Sequence, residues 1–480
     1  MEIIHAIGLA SATEDGDLLK ERFSIMNDAP KEILELQSLN KNAINCYDTW
    51  KDVIVNYFSL MKALNRGVPL LTFQCQNELL DSLSKCAKGS SNWILPTLIT
   101  VAFELQYMAL HVDDDYENNQ RNNKYSYHNS NNPFSVRTHP KILKMQRALA
   151  TLTKVFKVCV NDRELDMSKS KKIGVHFFSA LIYKFYLKLD QTHLSGNIEK
   201  AIESIKDQLP SIHSIPKSHA INYLYYSGWL KLNDGKFDSA NEKLTLALRL
   251  TRKNDYHQIK SILFLLIPIK FYTNKLMPSK KVFQLFQVQN EDDKQDYESA
   301  EKFKKVLEIS KCYFQIFRAI KSGNIKLFDT FIYKITNFLL KKNLYLIFEK
   351  IRKFVIFKLF KVSYSIIVKN PTSFEIKNIY QIPIGYFTKA MEFSQYHNEK
   401  QFYLNDREAK REKKLQNQKE KEPEIDPEIR FTTDELNNTE CLLGNGIVDG
   451  YIKGYLSHSL RIIVFSKKQA FINTVKRNTE

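Results

Sequence analysis

Cations crowd the end of this 480-residue chain: Lys453, His458, Arg461, Lys467, Lys468, Lys476 and Arg477 accompany or follow the run "GIVDGYIKGYLSHSLRIIVFSKK". Side chains of this kind hold phosphate oxygens and release condensed counterions, which predicts salt-sensitive contact with a nucleic-acid backbone and needs no base readout. A second basic run, "KKNLYLIFEKIRKFVIFKLFK", sets Lys341, Lys342, Lys350, Arg352, Lys353, Lys358 and Lys361 against the single acid Glu349. The competing reading is that these cations merely solvate helix faces around an apolar core.

Two further groups bear on partners. Arg249, Arg252, Lys253, Lys260 and Lys270 edge an aliphatic surface, which predicts a binding face for an acidic, aromatic-bearing disordered polypeptide that orders on contact. A solvated helix rim is the alternative. Near the carboxyl end, Leu442, Ile447, Tyr451, Tyr455 and Ile462 exceed what a small β-element hides, so Tyr451, Tyr455 and Ile462 are candidate anchors against another protein, with Leu442 and Ile447 better assigned to the core.

Covalent or metal chemistry finds no comparable pattern. Carboxylates are dense only in "HVDDDY", beside an Asn-rich stretch unsuited to a fixed metal geometry. The 11 histidines are scattered, and the six cysteines (Cys46, Cys75, Cys86, Cys159, Cys312, Cys441) lack zinc-type spacing. No Gly-rich phosphate loop or nucleophile motif occurs. A non-catalytic protein without cofactor or metal is expected, its thiols reduced and packed.

The elements that position these groups read as helices. Hydrophobic residues make up 43 % of the chain, yet Gly and Pro number only 14 and 13, which argues against a loop-rich or all-β fold. The formal charge of +18 predicts attraction to polyanions. In "DTWKDVIVNYFSLMKAL" Trp50, Val53, Ile54, Tyr57 and Met61 share one helical face. "SILFLLIPIKFY", from Ser261, comes nearest to a membrane segment, but Pro268 and Lys270 make it a buried helix, and no membrane partner is expected.

"AINYLYYSGWLKLNDGKFDSANEKLTLALRLT" predicts a helix hairpin of the tetratricopeptide type, with Gly228 and Ala240 letting the axes approach. "CYFQIFRAIKSGNIKLFDTFIYKITNFLL" predicts a second, turning at "KSGN". "TSFEIKNIYQIPIGYFTKAM" reads as one shorter helix. "TTDELNNTECLLGNGIVDGYIKGYLSHSLRIIVFSKK" reads as a capped helix from Thr432 or Thr433, a turn at "GNG" and two strands joined at "SHS". Helices followed by a terminal β-hairpin are the order of a winged-helix domain. The chain thus reads in three parts: 1–215, helical repeats with an Asn-rich insertion near 113–134; 216–343, the tetratricopeptide-like part; and 344–480, the winged helix, with a charged insertion near 399–428.

Helical repeats running into a winged helix resemble the PCI family. "SNWILPTLITVAFEL", "KVFKVCVNDRELDMSKSKKIGVHFFSALIYKFYLKLDQTHL", "INYLYYSGWLKLNDGKFDSANEKLTLAL", "SILFLLIPIKF" and the terminal run are similar to the branch holding the accessory twelfth signalosome subunit and the PCI subunit of the transcription-coupled mRNA export complex. The resemblance implies an all-α fold, a right-handed superhelical array of helix hairpins capped by a winged helix with a small β-wing. It also implies a non-catalytic scaffold that pairs with a Sac/GANP-type PCI protein, binds a small acidic Dss/Sem-type protein and contacts RNA or DNA when assembled. The alternative it carries is an accessory subunit among signalosome subunits, without nucleic-acid contact. Nuclear residence is implied by likeness, with "KREKK" from Lys410 in support and the cytoplasm left open.

Overall fold

The structure, a computed structural model, describes residues 2–25, 50–111, 140–164, 166–288, 297–374, 376, 378–395 and 432–472. The chain divides into two compact units, Met1–Thr251 and Arg252–Glu480. Both are mainly helical, with 18 α-helices among the described residues, and the second adds one three-stranded sheet. The mainly helical class with a small terminal β-element is therefore the one adopted. The Asn-rich and charged insertions, "KREKK", Cys46, Lys476 and Arg477 lie outside the described residues.

In the first unit, α1 (Glu2–Thr13) and α2 (Gly16–Phe23) meet at Asp15, whose carboxylate accepts from the N–H of Asp17 at 3.0 Å and Leu18 at 3.3 Å. α3 (Lys51–Asn65) buries Val53, Ile54, Tyr57 and Met61 on the predicted face, against α4 (Pro69–Cys86). α5 (Leu95–His111) begins with Pro96 in its first turn, where the missing amide costs least. The span Asn92–His111, and not the run at Ser261, is the one apolar and long enough to cross a membrane among the described residues, with mean hydropathy 1.4. It is a core element: 61 % of that window is buried, and Glu104 within it accepts from Ser24 Oγ at 2.7 Å and Ile25 N–H at 2.9 Å.

α6 (Pro140–Val160), α7 (Val175–Lys188) and α8 (Ser195–Ser204) lead to the hairpin of α9 (Lys217–Asn233) and α10 (Phe237–Leu250). A Cβ placed on Gly228 would sit 2.9 Å from Leu244 Cγ, so the close approach anticipated for this pair depends on a residue without a side chain. Ala240, Leu244 and Ala247 are fully buried along the facing stripe.

The second unit begins with α11 (Tyr256–Asn274), buried along most of its length with Pro268 inside it, then α12 (Lys280–Leu285). α13 (Tyr297–Ser322) and α14 (Ile325–Lys334) form the second hairpin, turning at Gly323 and Asn324, whose side chain caps α14 by accepting from Leu327 N–H at 2.8 Å. α15 (Thr336–Lys341) comes next. The long basic run is one helix, α16 (Tyr345–Lys369), packed on α11 and α13 through Phe271, Tyr313, Phe348 and Phe354.

Beyond Asn370 the chain departs from the single helix expected there. Gln381–Pro383 form a strand, β1, before α17 (Ile384–Gln395), because Ile382 points to the core while Pro383 sits on an edge strand that tolerates its missing N–H. α18 (Thr433–Val448) is capped by Thr432, one of the two caps the sequence offers, and the cap is completed as a capping box by Glu435. It runs through "GNG", and the turn comes later, at Asp449 and Gly450. β2 (Gly454–Ser457) and β3 (Ile462–Phe465) close the module. The order α16, β1, α17, α18, β2, β3 is that of a winged helix, with β3 in the middle of the sheet β1-β3-β2.

Candidate nucleic-acid and partner interface

The sheet has one face in the core and one outside. β3 pairs Ile463 with both Ile382 and Leu456, and Val464 with both Gln381 and Tyr455. Because side chains alternate along a strand, Ile382, Ile463 and Phe465 form the inner face, and all three are buried. Phe465 lies 6.0 Å from the Phe387 ring of α17 and 4.6 Å from the Tyr364 ring of α16. Tyr455, Ser457, Ile462, Val464, Gln381 and Pro383 fall on the other face. Gly454 allows the pairing itself, since a Cβ there would collide with the Val464 carbonyl.

Among the partner anchors predicted, Tyr455 is 62 % exposed on that outer face and Ile462 is half-buried beside it. Tyr451 is placed differently. Its ring packs 5.2 Å from Phe357 and 5.4 Å from Phe354, so it joins α16 to the start of the wing. Burial, with Asp449 close by, pushes its hydroxyl above the usual tyrosine range. Leu442 and Ile447 are half-buried on α18.

The predicted cations fall into two sets. Several already meet carboxylates. Arg352 makes a two-pronged bond to Asp329 at 2.9 and 2.8 Å, which raises its basicity further, and Lys353 meets Asp449 at 2.7 Å. Arg461 donates through Nη1 to Glu440, and His458 Nδ1 lies 2.9 Å from the same carboxylate. These four are thus braced against the fold, where the sequence presents them as plain surface charges. Lys350 is exposed on α16 and Lys358 half-buried.

The other set is open. Lys453, Lys467 and Lys468 are exposed, with no carboxylate in ion-pair range among the described residues. Lys467 holds its ammonium 5.9 Å from the centre of the Tyr380 ring. The wing therefore presents positive charge at one end of the sheet and a half-apolar face along it.

The group expected to meet an acidic segment is not uniform. Arg249 is exposed near the end of α10, and Arg252 and Lys253 are exposed at the start of the second unit. Lys260 is only 8 % exposed: its ammonium donates to the Val288 carbonyl and lies 4.6 Å from the Phe303 ring. It belongs to the interior of its unit and not to a cationic rim.

Sequence reasoning passed over three contributors: Tyr380, β1 and Glu440. The alternation in "IYQIP" is the one local sign of β1. Nothing near Glu440 in sequence marks it as the acceptor for a turn some twenty residues away. Among the described residues no three of His, Cys, Asp and Glu gather as metal ligands.

The chain is 31 % identical over 439 residues to a protein CSN12 homolog of Debaryomyces hansenii, covering 88 % of this chain and 86 % of that one. It is 23 % identical over 442 residues to the CSN12 homolog of Schizosaccharomyces pombe, covering 92 % and 85 %. The PCI domain-containing protein 2 of Danio rerio is 22 % identical over 404 residues, covering 83 % and 78 %. No protein-family model matches the sequence.

Proposed function

This chain belongs to the PCI family, in the branch of the CSN12 homologs and PCI domain-containing protein 2, and from that premise we propose that its winged helix docks a second PCI-like protein of the Sac/GANP type while its wing lends cations to RNA or DNA. The chain is a scaffold-type subunit. In this reading a small acidic Dss/Sem-type protein is the third component, and the assembly serves transcription-coupled mRNA processing or export in the nucleus. Its support is the resemblance, together with the exposure of Arg252 and Lys253 at the start of the second unit.

One observation carries the proposal. The outer sheet face keeps Tyr455, Ile462 and Val464 at the surface, and Lys453, Lys467 and Lys468 stand exposed around its end. An aromatic and aliphatic patch rimmed by cations suits a protein contact bordered by a polyanion. The test is capture of a purified Sac/GANP-type partner by wild type and by Tyr455→Asp, with nucleic-acid gel shifts on the assembled pair. Loss of capture by a folded Tyr455→Asp supports the docking face; intact capture removes Tyr455 from it.

A second reading is an accessory signalosome subunit that leaves nucleic acid alone, in line with the signalosome-related name of the relatives. The pairing of Arg352, Lys353, His458 and Arg461 with carboxylates favours it. Gel shifts that stay negative at low salt decide for this reading.

A further inference from the structure

Tyr380 stands at the entrance to β1, and main-chain bonds fix it beside the end of the wing. Its carbonyl accepts from Phe465 N–H at 2.7 Å, and its own N–H donates to Asn378 Oδ1 at 3.1 Å. On the other side of β3, the Lys453 carbonyl accepts from Ser466 N–H at 2.8 Å. Three separate segments thereby bring Tyr380, Lys467 and Lys453 to the same end of the sheet. Tyr380 is half-exposed, with the Lys467 ammonium above its ring.

α18 presents the opposite character. It is the third helix of the module, the position from which helix-turn-helix proteins enter the major groove. Yet Thr433–Val448 contains no Lys or Arg, and its exposed face runs Asp434, Asn437, Asn438, Cys441, Asn445, Val448. Two side chains that stand next to it, His458 and Arg461, are engaged by its own Glu440. A duplex laid along this helix meets Asp434 and Glu435 with nothing to neutralise its phosphates.

We propose that the Tyr380 end of the sheet is a single-strand site: Lys453, Lys467 and Lys468 hold backbone phosphates, Tyr380 stacks one base, and α18 stays off the nucleic acid. The site is tolerant of sequence, because stacking on a ring accepts every base. This inference rests on the nucleic-acid reading above and names its ligand class and an additional residue for it.

The test is fluorescence anisotropy on the full chain at low salt, with single strands of about 12 nucleotides. RNA and DNA of one sequence, a scrambled sequence and the corresponding duplex are compared. The expected result is that Tyr380→Ala weakens single-strand binding about 5- to 100-fold and leaves duplex binding unchanged, while Tyr380→Phe binds like wild type. The scrambled strand binds within about 2-fold of the original, and the tighter of RNA and DNA identifies the source of the ligand. Cys441, the one cysteine classed as exposed among the described residues and part of the α18 face, should be labelled by a maleimide at the same rate with and without strand, read by peptide mapping.

Protection of Cys441 by the oligonucleotide, duplex binding as tight as single-strand binding, or wild-type affinity in Tyr380→Ala each overturns the inference. Should Tyr380→Ala not fold, Tyr380→Leu keeps an apolar side chain without the ring and decides the same question. If Lys467→Glu/Lys468→Glu binds all strands as wild type does, or if no strand binds at all, the wing-cation reading fails and takes this inference with it. Loss of affinity in that charge reversal with none in Tyr380→Ala sinks the stacking site alone.

Discussion

Arg461, at the end of the wing turn with φ of 51°, donates through Nη1 to the carboxylate of Glu440 in the middle of α18. A non-glycine residue in the left-handed region carries strain, and here the ion pair holds it in place. His458 reaches the same carboxylate from the other end of the turn. One acid on α18 therefore ties His458 and Arg461, near the two ends of the β2–β3 connection, to the helix.

Replacing Glu440 by Gln should separate two effects. Stability should fall by about 1 kcal/mol, the scale of a charge-assisted contact at a partly exposed site. Affinity for single-stranded nucleic acid should stay within about 2-fold of wild type, since the wing turn lies at the end of the sheet away from Tyr380, Lys453 and Lys467. Urea midpoints and anisotropy titrations measure both; an unchanged midpoint contradicts the role of Glu440 in bracing the wing turn.

The hairpin of α9 and α10 should be intolerant of bulk at Gly228. Gly228→Val forces its side chain into Leu244, and overpacking of this kind costs about 1–3 kcal/mol. The urea midpoint of the purified chain should drop accordingly. A Gly228→Val protein as stable as wild type would show that the helices separate freely.

In the first unit, Lys171 and Asp162 form an ion pair 3.3 Å apart with side chains only 6 % and 9 % exposed. The bonds from Lys171 and Ser170 overcome burial and hold the Asp162 carboxyl below its ordinary range. Lys171→Met leaves that carboxylate buried without its cation, a change expected to cost about 3–5 kcal/mol. The double variant Lys171→Met/Asp162→Leu should recover part of the loss. Equal instability of the single and double variants contradicts the pairing.

Acid should weaken the same unit through His176. It is buried against Tyr223, ring centres 4.7 Å apart, with Nδ1 lacking a hydrogen-bond partner. Burial, with Lys243 nearby, pushes its pKa down to about 4. The unfolded chain, titrating near 6.5, binds the extra proton first. The stabilisation is thus complete above about pH 6.5 and is lost as pH falls toward 4, by about 2–3 kcal/mol. Urea titrations at pH 7.5 and 4.5 should show a larger loss in wild type than in His176→Phe; parallel losses would contradict a neutral buried ring.

How much could be read from the chain beforehand depends on the range of the interactions. The α9/α10 hairpin, the Asn324 turn and the Thr432 capping box depend on residues a few positions apart, so their signals are local and legible. β1 is three residues long, contains Pro383, and is defined by pairing with β3, some eighty residues further on. Its sequence resembles the helix it precedes. The charge at the wing was legible as composition, but its division into braced and open cations was not. That division depends on where Glu440, Asp449 and Asp329 arrive in the fold. Lys260 shows the same limit, since burial at a helix position otherwise edged by cations is set by Val288 and Phe303.

The central claim is that the open cations of the wing form a docking face for a polyanion. The most direct measurement is the salt dependence of single-strand binding by the full chain, for wild type and for Lys453→Glu/Lys467→Glu/Lys468→Glu. With about 0.7 of a log unit per phosphate neutralised on a single strand, removing three contacts should flatten the slope by about 2 and weaken binding at every salt concentration. An identical slope and affinity in the charge-reversed protein, still folded by its urea midpoint, would contradict the account.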